Sequence, residues 1–193
     1  MNWKLAIPAS LLVLALVPAT PAIALDWGLG TDLGANIFRP DYPDAEGVLT
    51  FTWPAVGPSA YQIGGLRVSF MASKPKHEIW VGTSLLSLNR GGHPIHQTMV
   101  TGNYQYNFPT QGRVSPYLTA GLGLDNYGDR NAGASGTIFG FGAGLSKSVT
   151  NGAGRLRVEV RYDQQTEGKS HDHVFIPKGG SFGLKLGFDL WVK

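Results

Sequence analysis

Apolar and polar residues alternate with a period of two along most of the chain. The clearest case is Arg155 to Asp163, RLRVEVRYD, where Leu156, Val158, Val160 and Tyr162 share one face. Arg155, Arg157, Glu159, Arg161 and Asp163 share the other. A helix would scatter these two sets, whereas a strand separates them. Ser181 to Val192 repeats the pattern, with Phe182, Leu184, Leu186, Phe188, Leu190 and Val192 against Gly183, Lys185, Gly187 and Asp189. Similar runs cover Thr137 to Ser148, Ser115 to Tyr127, Gln97 to Phe108, Tyr61 to Ala72 and Trp27 to Phe38. His77 to Leu88 also alternates, with Ile79, Val81, Thr83 and Leu85 on one face, although Trp80 and Leu86 blur it. The pattern therefore predicts eight strands. Each spans about 9 to 13 residues, close to the about 9–11 of a tilted membrane-crossing strand and longer than the about 5–6 of a soluble one.

The connections alternate as well. Link one, Arg39 to Ala60, is long and Pro-rich, and its residues follow no strand pattern. Links two, four and six are short: Ser73 to Lys76, Pro109 to Val114, and Thr150 to Gly154 with an Asn-Gly hairpin signal. Links three, five and seven, about Asn89 to Ile95, Gly128 to Gly136 and Thr166 to Gly180, are expected to be longer. Outer-membrane barrels place long loops outside and short turns in the periplasm, so a periplasmic N-terminus puts every long link outside. Aromatic residues gather toward strand ends, as at Trp27, Tyr106, Tyr127 and Trp191, where rings suit the membrane interface. A secreted soluble barrel of lipocalin type would also alternate. It would carry Lys and Glu outside, whereas the polar faces here are mostly Gly, Ser, Thr and Asn, which fit a narrow barrel interior. The fold expected is all-β: an eight-stranded antiparallel transmembrane up-and-down barrel.

The N-terminus predicts how the chain reaches a membrane. Met1 to Lys4 form a basic start, Leu5 to Val17 an apolar run containing Pro8, and Ala22-Ile23-Ala24 the A-x-A pattern of signal-peptide cleavage. Residues 1–24 are expected to be removed and 25–193 to form the barrel. The apolar run of about 13 residues is short for a helical span of about 20. Composition narrows the class further. Charged residues make up 15% of the 193 residues, against about 25% in soluble chains, and 27 glycines follow no collagen period. The absence of Cys excludes a disulfide scaffold and a thiolate metal site. A net charge of +3 is too small to argue for nucleic acid.

VTGNYQYNFPTQGRVSPYLTAGLGLDNYG, followed by TIFGFGAGLSKSVTNGAGRLRVEVRYDQQ, resembles the outer-membrane β-barrel domain family of OmpA/OmpX type. The likeness runs from about Met99 to Asp163. The final strand is similar to the closing strand that barrel assembly machinery reads, but it ends Trp-Val-Lys rather than in an aromatic residue. The resemblance implies residence in the bacterial outer membrane and outer-membrane lipids as partners. Function within such a family follows the loops rather than the fold.

Candidate chemistry is sparse. The register turns Asp32, Arg67, Arg157, Glu159, Arg161, Lys185 and Asp189 into the barrel, from strands one, two, seven and eight, which become neighbours on closure. A charge in a narrow interior must find a partner or water. Glu159 is expected to pair with Arg161, Lys185 or Arg67, and Asp32 with Arg67 or Lys185. The network reads as a structural plug, or alternatively as a narrow ion path. His93 and His96, with His171 and His173, are weak metal candidates by spacing alone. Ser170, His171 and Asp172 are adjacent, but triad members converge in space rather than in sequence. The His-x-Ser-Asn pattern of a lipid A deacylase is lacking. Phe51 and Trp53 in link one are candidate contact residues for a surface ligand. The reading is a monomeric, non-enzymatic barrel without cofactor, supporting envelope integrity or presenting loops. A lipid-modifying enzyme or a narrow-pore channel is the alternative.

Overall fold

A computed structural model describes residues 26–52, 65–71, 76–90, 93–128, 133–149, 153–170 and 173–192. The expected signal segment lies outside them. The strands are β1 (Asp26–Pro40), β2 (Val48–Thr52), β3 (Gly65–Met71), β4 (His77–Arg90), β5 (His93–Asn107) and β6 (Val114–Gly128). They continue with β7 (Gly133–Val149), β8 (Gly154–Gln165), β9 (Gly168–Ser170), β10 (His173–Ile176) and β11 (Gly179–Val192).

Strands β1, β3, β4, β5, β6, β7, β8 and β11 pair with their sequence neighbours, antiparallel throughout, and β11 returns to β1. The ring is a closed eight-stranded up-and-down barrel. Closure gives each strand of the ring a partner on both sides, which is what a sheet needs in lipid. The first and last strands, β1 and β11, meet at one end, where Trp27 pairs with Val192. The connections after β3, β5 and β7 lie at that end, the one the sequence pattern predicts to be periplasmic.

Period-two patterning decides which face each residue takes. The outward residues form an apolar belt in which Leu33, Leu122 and Phe141 are 54%, 71% and 61% exposed. Their polar and glycine neighbours turn inward. Trp80 breaks the visible pattern of β4 because it too points inward, beside Glu78, and is 3% exposed.

Two connections differ from expectation. Link three shrinks to residues 91–92, because Arg90 pairs with His93 and both strands continue into the supposed loop. The long-odd, short-even rule therefore fails there. Link one is not patternless: Val48–Thr52 forms β2, antiparallel to β1 from Thr52 opposite Gly34 to Val48 opposite Phe38. Strand β3 takes the inner part of the same edge, with Met71 opposite Asp26 and Arg67 opposite Gly30. The intervening prolines and glycines concealed a strand of only five residues. The second strand expected at Tyr61 to Ala72 is correspondingly described only over Gly65–Met71.

Candidate functional site

The inner tier of interior charges is built by five neighbouring strands, β8, β11, β1, β3 and β4. Arg157 lies at its centre, 3% exposed. Its Nη2 donates to Asp32 at 2.8 Å and its Nε to Asp189 at 2.7 Å. Arg67 stands 3.5 Å from Asp189 and 4.0 Å from Asp32, and its Nη2 donates to Glu78 at 2.8 Å. Arg155 donates to the other Glu78 oxygen at 2.6 Å. This tier lies in the half of the barrel where β1 begins and β11 ends.

A second tier follows farther outward. Arg161 donates to Asp163 at 2.7 Å and to Asn103 at 2.9 Å, and lies 3.5 Å from Glu159. Glu159 accepts the Tyr117 hydroxyl at 3.0 Å. Lys185 is 3.9 Å from Asp163. Trp80 separates the tiers, with the Arg67 guanidinium 4.1 Å and that of Arg161 5.9 Å from its ring centroid. The ring's negative faces attract both cations.

The bookkeeping of charge is even. Five acids (Asp32, Glu78, Glu159, Asp163, Asp189) stand against five bases (Arg67, Arg155, Arg157, Arg161, Lys185) in these ion pairs. Pairing offsets the desolvation cost that each buried charge would carry alone. Space for these side chains comes from inward glycines. A Cβ at Gly187 would overlap an Asp32 carboxylate oxygen and sit 2.6 Å from Arg157 Nη2. A Cβ at Gly140 would overlap Asp163 and lie 2.9 Å from Arg161. Glycine on the polar faces is thus the counterpart of long charged side chains across the interior.

The outer mouth is closed by different chemistry. Gln97 donates twice to Asp125, at 2.9 and 3.0 Å, and Gln165 adds a third bond at 3.3 Å. Met99 and Ile138 pack together above the polar tiers. The β9–β10 hairpin lies against β7, which places Ile176, 2% exposed, beside the inward-facing Gly136. Link seven is therefore partly folded, and one of its apolar residues turns into the mouth.

All seven charges read from the sequence are buried in the interior. Asp32 has a closer partner in Arg157 than in Arg67, and Lys185 approaches Asp163. Glu78, Arg155, Asp163, Asp125 and Tyr117 join the interior networks beyond those seven. Strand parity would have found them, because each sits an even number of positions from an inward residue on its own strand.

The other candidates are placed less favourably. Phe51 lies in β2, not in an irregular loop, opposite Ala35 and 79% exposed on the outward face that also carries Ile37 and Leu49. Pairing with β1 recruits its ring into the apolar belt. Trp53, His171 and Asp172 lie outside the described residues. His96 is exposed in β5, the backbones of His93 and His173 belong to β5 and β10, and Ser170 closes β9. Among the described residues no cluster of three or more His, Cys, Asp or Glu could hold a metal.

No family model and no curated protein matches this chain by sequence. Solved structures do match its fold. Neisserial surface protein A (NspA) is 16% identical, with a TM-score of 0.55 over 85% of this chain and 96% of that one. The outer membrane protein AlkL is 17% identical, with a TM-score of 0.50 over 91% and 95%. The N-terminal β-barrel domain of Pseudomonas aeruginosa OprF is 15% identical, with a TM-score of 0.42 over 84% of this chain and 97% of that one. The closed ring, the apolar belt and the polar interior agree with these folds: the chain has the closed eight-stranded β-barrel fold of these outer-membrane proteins.

Proposed function

We propose that the protein is a sealed, non-enzymatic barrel that supports envelope integrity and presents its outer connections for contact. The interior carries this reading. Its acids and bases neutralise one another in two tiers, and Met99, Ile138 and Ile176 stand above them at the mouth. An eight-stranded barrel is just wide enough for side chains to fill, and here they interlock across it. Such a barrel contributes a rigid, lipid-anchored cylinder rather than a route through the membrane. Outer-membrane lipids and the barrel assembly machinery are its partners in this reading, and it acts as a monomer.

The test is deletion of the gene. Cells without the protein should become more sensitive to detergents and bulky antibiotics, while the acylation pattern of lipid A stays unchanged. A changed acylation pattern, restored by re-expression, would overturn the reading in favour of lipid modification. Ser170, His171 and Asp172 would then be the first residues to substitute.

A further inference from the structure

The outward surface carries a notch at its outer rim. Gly180 forms its floor, because Gly180 pairs with Arg39 of β1 on one side and Gln164 of β8 on the other. The next outward layer toward the membrane centre is Ile37, Phe182 and Tyr162, paired in the same way. Asp41 and Tyr42 stand above. Together these residues line a groove of about 580 Å³.

The groove is built rather than incidental. The Tyr162 hydroxyl donates to Gln164 at 2.6 Å, and Gln164 donates to the Gly179 carbonyl at 2.9 Å, which fixes one wall. A Cβ at residue 180 would sit 2.7 Å from the Tyr162 hydroxyl, so glycine keeps the notch open. On the other wall, Lys178 Nζ lies 2.6 Å from Asp41, and this hydrogen bond holds the Asp41 carboxyl below its ordinary pKa. The Asp41 carboxylate is therefore already neutralised. The Arg39 side chain is exposed and has no hydrogen-bond or ion-pair partner among the described residues, so its guanidinium is available.

What borders the groove indicates its occupant. Ile37 and Phe182 are 54% and 59% exposed and belong to the belt that faces acyl chains. A ligand seated here therefore meets lipid below and solvent above. We propose that this notch binds the headgroup of a phosphorylated lipid of the outer leaflet, with its phosphate on Arg39 and its acyl chains along Ile37 and Phe182. A guanidinium matches phosphate oxygens in a two-pronged geometry, which lysine does not reproduce. Gln164 and the two tyrosines offer neutral hydrogen bonds to hydroxyl-bearing parts of the headgroup. The site lies on the wall and stands independently of whether the interior is sealed.

The experiment titrates the purified full chain in detergent micelles with phosphorylated lipid A and counts bound lipid by native mass spectrometry. Lipid A stripped of phosphate and inorganic phosphate serve as comparison probes. Folding of each variant is checked by its shift on an unboiled gel. Arg39→Gln should weaken phosphorylated lipid A about tenfold, because one charge-assisted contact is lost. Gly180→Leu should weaken it comparably by filling the notch with Arg39 intact, and Arg113→Gln at the periplasmic end should change nothing. Phosphate-free lipid should bind the wild type as weakly as phosphorylated lipid binds Arg39→Gln. Should Gly180→Leu fail to fold, Arg39→Gln alone decides. Wild-type affinity in a folded Arg39→Gln variant would overturn the proposal. So would equal binding of phosphate-free lipid, or full competition by inorganic phosphate at equal concentration.

Discussion

Replacing Arg157 with Met leaves the barrel wall untouched and empties the centre of its inner tier. The structure sets the size of the effect. Three charge-assisted hydrogen bonds disappear, at 2.7, 2.8 and 3.2 Å, and two buried carboxylates, Asp32 and Asp189, lose their main partner. Removing one member of a buried ion pair typically costs about 3–5 kcal/mol. Arg67, 3.5 Å from Asp189 and 4.0 Å from Asp32, retains part of the compensation. The lower end, about 3 kcal/mol, is therefore expected, roughly a hundredfold in the folding equilibrium. Reversible urea unfolding in lipid vesicles, followed by tryptophan fluorescence and gel shift, measures it. Adding Asp32→Asn should recover about 1 kcal/mol or more, because the uncompensated charge is removed while the shape is kept. A loss below about 1 kcal/mol, or a double variant whose losses simply add, would refute the reasoning.

Three other substitutions probe the wall and the packing. Val158→Arg places a charge among Leu186 and Leu145 on the lipid face and should cost about 2–4 kcal/mol near the midplane in the same unfolding assay. Gly187→Ala should cost about 1–3 kcal/mol, because its methyl group must displace Asp32 and Arg157, whereas an alanine in open interior space would cost little. Phe51→Ser should lower stability by about 1–3 kcal/mol and leave surface binding unchanged, since the ring joins the lipid belt; lost binding with unchanged stability would restore it as a contact residue.

Much of this molecule is legible as parity. One strand such as RLRVEVRYD assigns five inward charges at once, because a barrel has a single inside and each strand step changes face. Trp80 was ambiguous for a physical reason: an indole is apolar enough for lipid, yet its faces attract guanidinium groups, and Arg67 and Arg161 hold it inside. Partner choice was less legible. Asp32 and Arg157 are 125 positions apart, on strands that are not paired with one another. Both reach across β11, where Gly187 leaves room between them. That contact depends on side-chain length and on the glycine, and alternation carries neither. Strand β2 and the inward turn of Ile176 escaped notice because short elements leave too few residues to show a period. The rim groove combines a loop pair, Asp41 and Lys178, with residues from three strands, so only closure of the barrel assembles it.

The proposed role depends on an interior that is filled and closed. Planar-bilayer recording of the purified, refolded full chain tests it most directly. A filled barrel leaves the membrane quiet, without stable open steps, across a range of voltages and salt concentrations. Steady, long-lived conductance that scales with the protein inserted, and that changes its ion selectivity in Arg157→Met, would contradict it and make the paired charges the lining of a pore.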